Sequence, residues 1–156
     1  MKTKYLLLII FLLSSNFIFA QKSEFNSLID KYEKEDDVTI ITVSKAMFNL
    51  IGGKINTGNN VDLTNIVPKI ESLRLITSES SKLQKQMEAE FKSLINKDKT
   101  YEELMRIKDG KTNITFNFKK SKGVNELIMF ISEEDGFVAI QILGSFTVED
   151  IQKMTN

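Results

Sequence analysis

The chemistry open to this 156-residue chain is limited first by two missing side chains, because the sequence has no histidine and no cysteine. The common zinc sites and the Ser–His and Cys–His nucleophile pairs need one of these residues, so they are excluded. Catalysis by carboxylates alone, as in glycoside hydrolysis, needs two acids placed on either side of the bond that breaks. The acids that could form such a pair are Glu102 or Glu103 together with Glu126, Glu133, Glu134 or Asp135.

Sequence spacing brings no two of these acids to a defined separation, and acidic side chains usually lie on the surface. We therefore interpret them as surface charge and predict that the protein is not an enzyme, with a carboxylate-dependent hydrolase as the weaker alternative. No cofactor or metal is predicted. Gly52-Gly53 lacks the spacing of a dinucleotide or phosphate loop, and Glu133 to Gly136 lacks that of a calcium loop.

The run from Glu102 to Asp109 carries both charge signs close together. On an edge strand such charges discourage pairing with another chain, and they can also form ion pairs within the fold. The functional alternative is a docking surface with Arg106 as its anchor and Tyr101 beside it, since Arg and Tyr are enriched at binding hot spots. This candidate interaction surface consists of Tyr101, Glu102, Glu103, Arg106 and Lys108. We favour edge protection or an internal ion pair over docking.

The first twenty residues have the layout of a secretory signal peptide. Lys2 and Lys4 precede an apolar run, and cleavage is expected after Ala20. An uncleaved anchor is the alternative, but a helix of about sixteen residues would reach only about 24 Å, which is short of the roughly 30 Å hydrocarbon core. We predict a signal peptide over residues 1–20, a single domain over residues 21–156, and a periplasmic or secreted location.

Net charge and cysteine content limit the kinds of partner that the protein could bind and the ways in which it could be attached to a membrane. The formal net charge is zero, and loss of Lys2 and Lys4 with the signal peptide would bring the remainder to −2. Nucleic-acid binders normally carry a basic excess, so we predict no nucleic-acid binding. Without cysteine there is no acylated residue behind the signal and no disulfide, which predicts a soluble mature protein with no stable membrane span. An envelope protein as partner and the oligomeric state both stay open.

Helical and strand-like segments alternate in the first two thirds of the chain. Val38 to Val43 is rich in β-branched residues and predicts a buried strand, and residues 73–77 predict a second strand. Helices are predicted over residues 22–34 and 45–51, with a mobile loop over residues 54–60. Ser81-x-x-Gln84 predicts a capping box that opens the best helix. The apolar stripe of that helix is Leu83, Met87, Phe91, Leu94 and Ile95.

Beyond Tyr101, three groups of turn residues separate four strand-like runs. Turns of this kind predict antiparallel neighbours, and therefore a four-strand meander. In the second run Ile114, Phe116 and Phe118 alternate with polar residues, which predicts one solvent-exposed face. The third and fourth runs are apolar on both faces and are expected to be central. Thr147-x-x-Asp150 predicts a cap for a short last helix. The fold class is α+β, a single domain with a mostly antiparallel sheet whose C-terminal meander is covered by helices.

Four stretches resemble a known family. Tyr101 to Gly110 (YEELMRIKDG), Asn125-Glu126-Leu127 and a strand from Phe137 to Gly144 are similar to DUF4252, and Val43 to Phe48 resembles the strand-to-helix step of the same family. The resemblance covers roughly residues 24–154. It implies a small exported protein of Bacteroidetes with no established activity, cofactor or catalytic residue. Family members often look like lipoproteins, and this chain departs from them in having no cysteine.

Two classes of function follow. The first is an exported, non-catalytic binding or interaction protein of the cell envelope, which should show a contiguous exposed apolar patch. The second is a periplasmic carrier of a small apolar or lipid-like ligand, which needs an enclosed pocket with a few convergent polar groups. We favour the interaction protein.

Overall fold

The computed structural model describes residues 23–51 and 66–153. The helices are α1 (Glu24–Tyr32), α2 (Lys45–Ile51), α3 (Ser81–Lys97) and α4 (Val148–Gln152), with a 3-10 turn at Val67–Lys69. The strands are β1 (Val38–Ser44), β2 (Ile70–Ser78), β3 (Glu102–Asp109), β4 (Thr112–Lys119), β5 (Asn125–Glu133) and β6 (Gly136–Gly144). The predicted signal peptide, the Gly52-Gly53 helix stop and the loop over residues 54–60 lie outside the described residues.

The strands form one antiparallel six-stranded sheet in the order β1-β2-β6-β5-β4-β3. The α+β class and the C-terminal meander are therefore confirmed, with β5 and β6 in the centre and β3 at an edge. The tight β3–β4 turn uses Gly110 at φ 56°, a left-handed conformation that glycine adopts without the strain a side chain would bring.

One side of the sheet, here called the first face, carries α1 and α3. The apolar stripe of α3 packs onto it as predicted. Phe91 is at the centre of an aromatic cluster, and its ring centroid lies 4.8 Å from that of Phe25 and 6.2 Å from that of Phe137. Ile128 in β5 is fully buried beneath these helices. Burying an aromatic or branched side chain stabilises the fold by about 1.5–3 kcal/mol, so this contact layer is the main core.

The opposite side, the second face, is covered at one end. Three elements pack there against the apolar residues at that end of the sheet: Phe48 of α2, the 3-10 turn and α4. A Thr147–Asp150 capping box starts α4 as predicted. Gly144 lies at this end of the sheet in close contact with the backbone of Lys69. A Cβ atom built on it would lie 2.2 Å from the carbonyl oxygen of Lys69. A side chain at this position would force the two backbones apart.

Three local predictions were wrong. The polar side of β4 does not face solvent: Thr115 and Asn117 are each only 6% exposed, because the register places them beside Phe130 and Ile128 under the helix layer. Strand β1 is not a buried strand but an edge strand with Ile41 49% exposed. Helix α3 has no Ser81–Gln84 capping box: Ser81 is already its first residue, and the Gln84 amide donates to the carbonyl oxygen of Ser78.

A bulge in β3 explains an irregularity of its sequence. Glu103 pairs with Asn117 and Met105 pairs with Phe116, so Leu104 is an extra residue in the strand. The side chains of Leu104 and Met105 therefore both lie on the second face, where Leu104 packs with an apolar cluster. The bulge thereby restores an alternation that the linear sequence breaks at this point.

Candidate functional site

Apolar residues line the second face of the sheet in rows that cross all six strands. Paired residues of neighbouring strands point to the same face, so the registers define these rows directly. One row is Thr39, Thr77, Val138, Ile131, Ile114 and Ile107. The next row is Ile41, Leu75, Ile140, Met129, Phe116 and Met105. We call these two rows the open patch.

The open patch lies beyond the helices that cover the other end of the second face. Among the described residues only Phe116 of the two rows packs with a buried cluster. Its central members are half-buried, whereas Ile41 at one edge is 49% exposed and Ile107 at the other is 42% exposed. Helix α2 adds two more exposed apolar side chains, Met47 and Leu50.

The patch is also uncharged. Ten of its twelve side chains are apolar and the other two are threonines. With about 4.8 Å between strands, the rows extend for about 24 Å across the sheet, and two rows give a plan area on the order of 300 Å². Apolar patches of about this size on monomeric proteins are often functional. This is the contiguous apolar surface that an interaction protein requires.

A buried polar network occupies the first face near its end. Glu126 is 6% exposed and accepts hydrogen bonds from the Tyr101 hydroxyl at 2.8 Å and from the Gln141 amide at 2.5 Å. Ser23, the N-cap of α1, donates to the same carboxylate at 3.3 Å. Burial and the neighbouring Glu126 charge together raise the pKa of Tyr101 well above its usual value. The network ties the start of α1 to the central strands.

Three of the six acids proposed for a catalytic pair have ordinary partners in the described part of the chain, and the other three, Glu102, Glu133 and Asp135, are exposed. Glu126 is held by Tyr101, Gln141 and Ser23, none of which is acidic. Glu103 forms an ion pair with Arg106. Glu134 pairs with Lys111 across the two hairpin turns. Within residues 23–51 and 66–153, no cluster of three or more acids could hold a metal ion.

The candidate interaction surface of the sequence is divided between the two faces. The bulge places Glu103 and Arg106 on the first face, where the guanidinium nitrogen Nε donates to the Glu103 carboxylate at 2.9 Å and lowers its pKa. Glu102 pairs with Phe118 on the second face, and Lys108 is exposed on the first. Tyr101 is half-buried and packs against the main core. Whether these residues contact a partner stays a prediction.

The open patch was missed by sequence reasoning, although a signal for it was present. Strands β5 and β6 were recognised as apolar on both faces, and β1 and β2 carry Ile41, Leu73 and Leu75 in addition. A sheet with two apolar faces needs two covering layers, and the short helices within residues 23–51 and 66–153 cover only part of the second face. Counting helices against apolar faces would have pointed to an uncovered apolar surface.

A family model described as a domain of unknown function, DUF4252, matches residues 32–154. No curated protein matches, and no solved structure matches. None of the helices in the described part of the chain is long and apolar enough to cross a membrane.

Proposed function

The chain belongs to the DUF4252 family, a domain of unknown function, and on that premise we propose that it is an exported, non-catalytic binding protein of the cell envelope. Its docking surface is the open patch, and its partner is an envelope protein that presents an uncharged apolar surface. The observation that carries this proposal is the pair of apolar rows on the second face, which the helices of the described chain leave uncovered.

The shape and charge of the patch favour a protein over a small apolar ligand. Carrier pockets surround most of the surface of their ligand, whereas the open patch is one side of a sheet. Its lack of charge excludes recognition by ion pairs, so affinity would come from apolar area and from shape. The patch is smaller than the roughly 800 Å² that each partner buries in a stable interface, so the contact extends onto neighbouring residues or is transient.

A non-catalytic role is supported by the partners of the acids. Both oxygens of the buried Glu126 accept hydrogen bonds from neutral side chains. A general acid or base must reach a substrate proton, which this carboxylate cannot do while Tyr101 and Gln141 occupy it. Export is supported by the signal-peptide layout of the first twenty residues, and mass spectrometry of the processed protein should place its N-terminus at Gln21.

Site-specific photo-crosslinking tests the docking surface. A photoreactive amino acid at Ile107, 42% exposed in the open patch, should crosslink the processed protein in intact cells to one envelope protein, identified by mass spectrometry. The matched control places the same group at Val124, which is 38% exposed in the β4–β5 turn outside the patch. The control should not give that product.

Each other result argues against the proposal. Crosslinks from Ile107 to a second copy alone would make the patch a self-association surface. Crosslinks to lipid alone would favour the carrier. Equal products from Ile107 and Val124, or none from either position, would remove the docking role of the patch.

A further inference from the structure

A cleft lies on the first face, between the C-terminal half of α3 and strands β3 and β4. Its volume is about 210 Å³. At about 30 Å³ per water molecule this space equals roughly seven waters, and it is below the roughly 300–1,000 Å³ of pockets that hold drug-sized ligands. The cleft therefore fits a ligand of about one ring.

The floor of the cleft is polar where a core would be apolar. Thr115 and Asn117 line it and are each 6% exposed, and Asn113 is the next residue along the same side of β4. The side-chain oxygen of Asn113 is buried and accepts no hydrogen bond from any described residue. Three polar side chains in succession on the helix-covered side of a strand add little apolar packing, and an unpaired buried oxygen is destabilising. Such a departure from the rules of core formation marks a candidate binding site.

The rim of the cleft carries charges that are already paired. Arg106 pairs with Glu103 on β3, and Lys92 pairs with Glu88 at 2.5 Å on α3. An anion or a cation would have to compete with these internal partners. A neutral ligand would not, because it can accept from the outward N–H groups of a paired guanidinium and donate to a paired carboxylate.

From this lining we infer that the cleft binds a neutral, hydroxyl-rich ligand of about one sugar ring. The amide groups of Asn113 and Asn117 and the hydroxyl of Thr115 each donate and accept, as sugar hydroxyls do. Phe130, next to Thr115 in the β4–β5 register and 2% exposed, is an apolar part of the lining. The sugar ring could be a free monosaccharide or the terminal unit of a glycan. This site is on the opposite face from the open patch and does not depend on the proposed docking function.

Heteronuclear NMR of the isotope-labelled processed protein tests the inference. The probes are glucose, galactose, mannose and N-acetylglucosamine, with glucuronate and glucosamine as charged analogues. At least one neutral sugar should give saturable shifts at the backbone amides of β4 and of the facing turns of α3, and the charged analogues should bind more weakly. An oligosaccharide that ends in the active sugar distinguishes the two sources, because it should bind more tightly than the free sugar only if a glycan is the ligand.

Two variants of strand β4 serve as the test and its matched control. Thr115→Val removes a cleft hydroxyl at nearly constant volume and should weaken binding about fivefold, the loss expected for one hydrogen bond. Thr112→Val makes the same change on the second face and should leave the dissociation constant unchanged. If Thr115→Val does not fold, Arg106→Met at the exposed rim replaces it, with the same expected weakening.

The inference is overturned if no neutral sugar gives a saturable shift. It is also overturned if shifts occur elsewhere than around the cleft, or if the folded cleft variant binds as tightly as the Thr112→Val control.

Discussion

At strand β4 the two faces of the sheet are the reverse of what composition suggests, because the polar side is covered and the apolar side is not. On β4 the side that carries Asn113, Thr115 and Asn117 lies under helix α3, whereas the side with Ile114 and Phe116 faces outward. At this strand the covered face thus holds polar residues, and the open face holds apolar ones. Each arrangement has a cost to stability, since buried polar groups need partners and exposed apolar groups order water.

The comparison separates the packing that stabilises the fold from the two places where packing is incomplete. The first face is stable because its central strands are apolar and α1 and α3 cover them, so it can include a polar cleft near the β3 edge. The second face uses α2, α4 and the 3-10 turn to cover one end and leaves the open patch. We infer that departures from ordinary packing on both faces are sites for other molecules.

The largest effect that separates the faces is expected from two isoleucines of β5. Ile128 is fully buried under α3, and Ile131 lies in the open patch. Ile128→Ala should lower the free energy of unfolding by about 4 kcal/mol, because it leaves a cavity in a packed core. Ile131→Ala removes the same atoms from a half-exposed site and should cost about 1 kcal/mol. Urea unfolding of the two variants and of the parent protein measures both.

Equal costs at these two positions would break the comparison. They would mean that the open patch is covered in solution, and a dependence of the Ile131→Ala effect on protein concentration would identify a second copy as the cover.

The sequence predicted the sheet because its signals are local. Turn residues between apolar runs determine hairpins, so the meander could be deduced, whereas the order of all six strands could not. The stripe of α3 likewise follows from spacing within one helix. An ion pair within the fold was one of the favoured interpretations of the mixed-charge run, and Arg106 and Glu103 form such a pair.

The errors have a common physical cause. Alternation along β4 shows which residues share a side, but only the packing of α3 decides which side is covered. Strand β1 was expected to be buried because its residues are β-branched, yet burial depends on its position at the sheet edge. The cleft and the open patch both arise from contacts between distant segments, so no short stretch of sequence could predict them.

The buried polar network should give the next largest effect. Tyr101→Phe removes the hydroxyl that donates to Glu126 at 2.8 Å and leaves a buried charged oxygen with one donor fewer. We expect a loss of about 2 kcal/mol, since hydrogen bonds to charged groups are stronger than neutral ones. The double-mutant cycle with Glu126→Met, which has no oxygen to accept the bond, isolates the pair, and its coupling energy should account for most of the loss.

A coupling energy near zero in this cycle would show that Tyr101 stabilises the fold by packing alone. The first face would then resemble an ordinary apolar core more closely than we infer.

A smaller, pH-dependent effect is expected where α3 leads into β3. Asp98 accepts hydrogen bonds from Lys119 at 2.7 Å and from the Thr100 hydroxyl at 2.6 Å. The Lys119 ammonium and the Thr100 hydroxyl lower the pKa of Asp98 from 3.8 to about 2. Because the pKa is lower in the folded state, the ionised carboxylate adds stability above pH 3.8, and this stability is lost as the pH falls towards about 2.

The variant Asp98→Ala should therefore be less stable than the parent by about 1 kcal/mol at neutral pH, a value reduced by solvent screening of this surface group. The difference should shrink as the pH falls through that interval, as measured by urea midpoints. Lys119→Met should show a similar trend, because it removes the main cause of the pKa shift. A difference that stays constant in acid would assign the effect of Asp98 to the turn geometry alone.

The smallest change in stability is expected at Arg106, whose side chain is 58% exposed and whose ion pair with Glu103 is at the surface. Exposed ion pairs add little stability because water and salt screen them. Arg106→Ala should thus leave the urea midpoint nearly unchanged. It should also leave the Ile107 crosslink intact, since the bulge puts Arg106 on the first face and Ile107 is in the open patch on the second. Loss of the crosslink in this variant, with unchanged stability, would show that the partner reaches around the β3 edge, as the docking hypothesis for Arg106 requires, and that one binding surface spans both faces.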